Sequence, residues 1–125
     1  MKIADPIAIL GEDKACIFLE NNNFRILERN FRKGYGEIDI ICIDSENHKE
    51  KILVFVEVKT RTTNTFGTPF ESITPWKLKT LIKTAEYYKL THKGLPDSMR
   101  IDAVSVLLSS NEAESIEHIK NITGF

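Results

Sequence analysis

Residues 52–61 read ILVFVEVKTR, an apolar run that ends with a carboxylate and an ammonium two positions apart. The run is typical of a buried strand, in which successive side chains alternate between the two faces of a sheet. Glu57 and Lys59 therefore continue the face that carries Leu53 and Phe55. Because bare buried charges are very costly, we expect them to be paired, metal-bound or at the floor of a cleft.

A second strand with acidic side chains lies upstream, at residues 36–41 (GEIDII). Its carboxylates alternate with isoleucines, which is the period of a half-buried strand. Asp39 and Glu57 would thus lie on neighbouring strands, beside Lys59. Hard divalent cations such as Mg²⁺ bind carboxylate oxygens and retain several waters. A lysine beside such a cation can help to deprotonate water or neutralise a phosphoryl oxygen. The pattern predicts hydrolysis of a phosphodiester.

The remaining patterns predict two helices and three further strands. Asp5-Pro6 and Thr74-Pro75 are typical of helix starts, with a capping side chain followed by proline at the first helical position. The predicted strands cover about 24–28, 37–44, 51–59, 100–108 and 115–122, with a turn at 29–35 and a loop at 60–74. The order α-β-β-β-α-β-β indicates an α/β fold, a mixed sheet of about five strands flanked by helices.

Length and composition indicate one globular domain over residues 1–125, since 42% of the residues are hydrophobic and 28% charged. No apolar stretch approaches the roughly 18–20 residues that span a bilayer. Acidic residues stand where a secretory signal would be apolar, so we expect a cytoplasmic protein without membrane contact. Cys16 and Cys42 lack metal-like spacing and are interpreted as reduced core thiols.

Basic residues are concentrated after the acidic strands, although the net charge of the chain is only −1. Residues 59–93 carry seven Lys or Arg and two Glu. Lys79 and Lys83 are predicted on the outer face of the second helix, where they either contact phosphates or are merely solvated. Three further residues are candidates for phosphate contact, with ordinary loop polarity as the alternative: Arg32, Thr60 and Arg61.

Several other side chains are interpreted as structural. Trp76 and Tyr87 could stack on bases, but beside a helix core they are expected to pack. Asp102 is interpreted as a structural partner of Arg100, and the alternative is an acid that supports the metal-facing carboxylates from behind. The three histidines, His118 among them, show no partner spacing.

The chain resembles a known nuclease superfamily in these motifs. Helix-borne Glu12, Asp39 and the Glu57-x-Lys59 word together resemble the PD-(D/E)xK, or restriction-endonuclease-like, superfamily, although Ile38 stands where the PD word has proline. The surrounding words resemble the small bacterial YraN-like family, which is uncharacterised and predicted to be nuclease-related. These words are GE at 11–12, ILERNFR at 26–32, GEIDII at 36–41, FVEVKTR at 55–61 and FGTPFE at 66–71.

The resemblance implies a restriction-endonuclease-like fold with Glu12, Asp39 and Glu57 as metal-facing carboxylates and Lys59 as the catalytic lysine. The arrangement is also similar to archaeal Holliday-junction resolvases. It implies an endonuclease that uses Mg²⁺ or Mn²⁺ without a small-molecule cofactor, acts on DNA, including branched DNA, and could form a homodimer. The alternative is a non-catalytic nucleic-acid-binding module or accessory protein. A small-substrate phosphatase is disfavoured because no Gly-rich phosphate cradle is present.

Overall fold

The computed structural model describes residues 5–34, 36–45, 50–62 and 73–123. Its elements are α1 (Pro6–Asn21), β1 (Phe24–Lys33), β2 (Gly36–Asp44), β3 (Ile52–Thr62), α2 (Pro75–Thr91), β4 (Met99–Ser109) and β5 (Glu112–Ile119). The five strands form one sheet in the order β1-β2-β3-β4-β5, in which β3 and β4 are parallel and the other neighbours are antiparallel. The predicted α/β class and element order are confirmed.

The two helices cover opposite faces of the sheet. On β3, Val54 and Val56 belong to the core beneath α1, whereas Leu53 and Phe55 belong to the core beneath α2. The alternation predicted for residues 53–56 is therefore present. Because both faces are covered, this central strand is apolar on both sides until Glu57.

Three strands differ in extent from the prediction. β5 covers Glu112–Ile119 instead of residues 115–122. β1 continues through residues 29–33, which were expected to form a turn, because it pairs with β2 as far as Lys33 opposite Gly36. β3 continues through Thr60 and Arg61, which were expected in a loop, because it pairs with β4 as far as Thr62. The rest of the predicted loop, including the FGTPFE word at 66–71, lies outside the described residues apart from 73 and 74.

Each helix approaches the sheet closely at a glycine. A Cβ added to Gly11 of α1 would lie 1.8 Å from Oγ1 of Thr60, and one added to Gly36 of β2 would lie 1.8 Å from Oγ1 of Thr84 on α2. Any larger side chain at either glycine would force the layers apart. The first contact holds α1 against β3 at the residue before Glu12.

A buried polar cluster stabilises the end of the sheet at which β2 ends and β4 begins. Arg100 donates to both carboxylate oxygens of Asp102, at 2.8 and 3.0 Å, and to Asp44 at 3.0 Å. His118 Nε2 and the Asn121 amide also contact Asp102, at 2.8 and 2.9 Å. Burial alone would raise the pKa of Asp102, but these hydrogen bonds hold it below its usual value. The predicted Arg100 partner is confirmed, while the pairing of His118 was missed.

Two remaining predictions concern the thiols and the membrane. Cys16 and Cys42 are both free and buried, as predicted. In the part of the chain that the structure describes, neither helix is long and apolar enough to span a bilayer.

Gly36→Ala should lower the free energy of unfolding by about 1–3 kcal/mol, the usual cost of overpacking. Thr84→Ala removes the clashing hydroxyl and methyl, so the Gly36→Ala/Thr84→Ala double variant should recover most of that loss. Urea unfolding of the two single variants and the double variant measures the coupling. Strictly additive losses would show that the glycine is not required by this contact.

Candidate functional site

The β2–β3 ladder ends where the predicted carboxylates lie. Its last pair on this side is Ile40 with Val56, so Asp39 and Glu57 would be the next pair in register. Instead of a backbone carbonyl, Oδ2 of Asp39 accepts a hydrogen bond from the Val58 amide at 2.8 Å. The two strands therefore fork here, and a carboxylate bridges the fork.

In the neighbouring strand β1, the regular alternation of side chains between the two faces of the sheet is interrupted at the same level. Arg29 lies on the α1 side, where its Nη2 donates to Asp13 at 2.9 Å. Phe31 lies on the α2 side, with its ring centroid 4.9 Å from that of Tyr88. Strict alternation would place residues 29 and 31 on one face. Between them, Asn30 has a φ of 56°, in the left-handed region, which breaks the alternation.

The same break occurs on β2. Ile40 belongs to the core beneath α1, whereas Ile38 belongs to the core beneath α2. Asp39 stands at the switch, and its hydrogen bond to Val58 shows that its side chain reaches along the sheet toward β3. The sequence analysis interpreted residues 36–41 as a regularly alternating strand and did not predict this orientation of Asp39.

Glu57 is buried between two lysines. Its side chain is 5% exposed, and Oε1 lies 3.4 Å from Nζ of Lys59 and 3.6 Å from Nζ of Lys77. Lys59 was predicted, but Lys77, near the start of α2, was not. Its only signal in the sequence was its place in the lysine-rich segment, because nothing in the spacing of residues 57 and 77 predicts contact.

Glu12 reaches the cleft from α1, behind the Gly11 contact. Its Oε1 atom is buried without a hydrogen-bond partner, and the cation of Arg29 lies 3.6 Å away. Burial raises the pKa of Glu12, although the charge of Arg29 opposes the shift. Glu12 is therefore a buried carboxylate with unused acceptor capacity.

Asp39 carries the largest electrostatic cost in the cleft. Burial first, and then the negative charge of Glu57, raise the pKa of Asp39 to about 7, while the hydrogen bond from Val58 acts in the opposite direction. Glu12 and Glu37 add smaller contributions of the same sign as Glu57. A cation placed among these carboxylates would relieve this repulsion.

These side chains line a single cleft of about 310 Å³ at the fork. The carboxylates and the lysine that line it are Asp5, Glu12, Glu37, Asp39, Glu57 and Lys59. Within the described ranges, no group of three or more His, Cys, Asp or Glu side chains is arranged so that it could hold a metal ion. A larger groove, of about 650 Å³, lies at the opposite end of β2 and β3 and shares none of these residues.

The predicted phosphate contacts are dispersed around the cleft. Arg32 donates to Glu37 at 3.3 Å, and Thr60 lies beneath α1 against Gly11. Arg61 is half-buried on β3, whereas Lys79 and Lys83 are exposed on α2. Nucleic-acid contact by these five residues stays a prediction.

The expectation that Trp76 packs in a helix core is wrong. It is 67% exposed, because the buried stripe of α2 begins only at Leu81. Tyr87 is 37% exposed and stacks on Phe31, with 6.5 Å between ring centroids.

The fold and the cleft define a class: an α/β protein with carboxylates and a lysine at a strand fork. Residues 11–106, which include all four predicted catalytic residues, match the uncharacterised protein family UPF0102. UPF0102 proteins of Geobacter sulfurreducens and Renibacterium salmoninarum are 42% and 40% identical over 116 and 122 residues. These alignments cover 92% and 98% of this chain and 86% and 99% of the relatives. The chain belongs to UPF0102, the YraN-like family.

The raised pKa of Asp39 makes the stability of the protein depend on pH. An unfolded aspartate has a pKa near 4, so between pH ~4 and ~7 Asp39 is protonated in the native state but ionised in the unfolded state. The free energy of unfolding therefore falls as the pH rises through that range. An asparagine side chain at this position would stay neutral and could still accept from Val58. Asp39→Asn should therefore raise the free energy of unfolding by on the order of 2–4 kcal/mol at pH 8.

That gain should vanish near pH 4. Urea unfolding in EDTA at several pH values measures it, and Asp97→Asn, at an exposed position, controls for the loss of a carboxylate in general. A gain that does not change with pH would show that the ionised Asp39 carboxylate is not destabilising.

Proposed function

We propose that this protein is a divalent-metal-dependent endonuclease that hydrolyses phosphodiester bonds of DNA. The observation that carries the proposal is the fork itself, where Asp39 and Glu57 meet at the end of a broken ladder with Lys59 beside them. A fold gains nothing in stability from a carboxylate whose pKa is raised to about 7. Such carboxylates in a cleft are candidates for function.

The chemistry of the cleft fits a hard cation. Mg²⁺ usually takes one or two protein carboxylates and completes its octahedral shell with waters and phosphate oxygens. Asp39 and Glu57 would hold the ion, and Oε1 of Glu12, which accepts no hydrogen bond, would join directly or through water. Mn²⁺, which also favours oxygen ligands, would substitute.

The bound ion would supply positive charge that lowers the pKa of water and neutralises the phosphoryl oxygens. Lys59 would act on the same centre. Its side chain is 25% exposed and its ammonium contacts the buried Glu57, and both observations support this role. It would assist removal of the proton from the attacking water or stabilise the charge that develops on phosphorus oxygens. The attacking water would give a proton to the solvent as it forms the new P–O bond, the opposite P–O bond would break, and the leaving oxygen would take up a proton from the solvent.

The substrate class and setting follow from the resemblance and from the charge distribution. The resolvase-like arrangement favours branched DNA, whose two-fold symmetry suits cutting by a homodimer. The exposed Lys79 and Lys83 on α2 would contribute phosphate contacts beside the cleft. The two free, buried thiols are compatible with the reducing cytoplasm.

Lys59→Met should abolish cleavage of linear, flapped and four-way-junction DNA in Mg²⁺ or Mn²⁺ while sparing DNA binding and folding. Methionine keeps most of the apolar stem but removes the ammonium, so a group that acts in the transition state is lost. Gel assays of turnover, paired with anisotropy binding in EDTA, separate the two effects.

Lys77→Met is the matched control, because Lys77 contacts the same Glu57 oxygen from α2. We expect it to retain more activity than Lys59→Met. Purified Lys59→Met that cleaves at the wild-type rate would refute the assignment. A wild-type protein that binds DNA but cuts none of the three substrates would favour the non-catalytic binding module.

Mg²⁺ or Mn²⁺ should raise the melting temperature, because the ion binds the folded cleft and not the unfolded chain. At about ten times the Kd the gain is about 1.4 kcal/mol. Asp39→Asn should lose this response, since a neutral amide is a poorer ligand for a hard cation. Thermal melts with EDTA or divalent ion measure it, with Asp97→Asn as the control. An equal response in both variants would place the cation elsewhere.

A further inference from the structure

The exposed face of α2 carries aromatic and basic side chains in one stripe. Trp76, Lys83 and Tyr87 stand at i, i+7 and i+11, which places them within one narrow sector of a helix with 3.6 residues per turn. Lys79 lies beside them, and all four residues are exposed. Neither lysine forms an ion pair with a carboxylate in the described part of the chain.

Trp76 stands at the cleft end of this stripe. Large aromatic residues are usually mostly buried, so a tryptophan that is 67% exposed on a helix is a marked exception. The next residue, Lys77, reaches Glu57 at 3.6 Å, which fixes the first turn of α2 beside the carboxylates. The start of α2, which carries Trp76, therefore lies beside the proposed reaction centre.

Tyr87 closes the other end of the stripe. Lys33 Nζ, from β1, lies 4.9 Å above its ring, and the ring stacks on Phe31. Because Phe31 and Lys33 pack against the Tyr87 ring, Trp76 is the more exposed ring of the stripe, and exposed lysines from two elements lie along it. Cations that track a backbone, combined with aromatic rings on which bases stack, are the chemistry of single-strand recognition.

We propose that this stripe binds a single-stranded segment of nucleic acid, with an unpaired base stacked on Trp76 at the cleft and phosphates held by Lys79, Lys83 and Lys33. The choice of nucleic acid rests on the proposed function, and the stripe narrows the substrate to strands with unpaired bases. Trp76 and Tyr87 are eleven residues apart, about 16 Å along the helix axis. That span corresponds to about five base steps.

Trp76 is the single tryptophan of the chain, so its fluorescence reports on this position alone. The full chain is titrated in EDTA with a single-stranded decanucleotide, the matching duplex, and polyphosphate of equal charge. Saturable quenching by the single strand, with weaker quenching by the duplex and little by polyphosphate, is the expected result. Equal quenching by polyphosphate would mean that the stripe binds anions without stacking, and would overturn the proposal.

Variants test the same point by anisotropy with a labelled decanucleotide. Trp76→Ala should weaken binding about 5- to 100-fold, the range for one lost base stack. Ile17→Ala, at a position 56% exposed on α1, is the control for loss of an exposed apolar side chain and should bind as the wild type does.

Lys79→Glu/Lys83→Glu should flatten the salt dependence of the binding constant, whereas Lys51→Glu, at the other end of β3, should not.

The two proposals fail in different ways. If Trp76→Ala binds the single strand as tightly as wild type, the stripe assignment is wrong, while loss of cleavage in Lys59→Met would still support the nuclease. If the folded wild-type protein binds neither single strand nor duplex, both assignments are overturned.

Discussion

The hydrogen bond from the Val58 amide to Oδ2 of Asp39 is the contact on which the site depends. It satisfies a strand amide that has lost its ladder partner, and it holds a carboxylate in the plane of the sheet. Without it, β2 and β3 could form one more backbone pair, between residues 39 and 57, and the fork would close. A sheet that closed fully would be more regular, but it would have no cleft between its central strands.

The cost of this arrangement is electrostatic and is offset by packing elsewhere. Asp39, Glu57 and Glu12 come from three different elements. Burial and the charges of neighbouring carboxylates raise the pKa of Asp39 and of Glu12 and so disfavour their charged forms. The apolar layers on both faces of the sheet, and the close approach of α1 at Gly11, keep these groups together. Such an electrostatic cost at one place, in a protein whose buried Asp102 is fully paired, is typical of a functional site.

The sequence predicted the parts of the structure that depend on local pattern. The apolar alternation of residues 53–56 placed Glu57 correctly at the end of the buried part of β3, and the Asp-Pro and Thr-Pro pairs marked both helix starts. Contacts between distant residues could not be predicted in this way. The contacts of Lys77 with Glu57 and of His118 with Asp102 depend on tertiary packing. The side chain of Asp39 points along the sheet toward β3, beside a left-handed Asn30 on the next strand, and a strict alternation does not predict either feature. The exposure of Trp76 was likewise unpredictable, because its place in the helix pattern does not define where the sheet ends beneath it.

The central claim is that the β2–β3 fork is a divalent-cation site that serves phosphodiester hydrolysis. Anomalous diffraction at the manganese edge, on crystals of the wild-type protein soaked in Mn²⁺, tests it most directly. The account predicts an anomalous peak about 2.0–2.3 Å from carboxylate oxygens of both Asp39 and Glu57. A fully occupied peak elsewhere on the protein, with none between these two carboxylates, would contradict it.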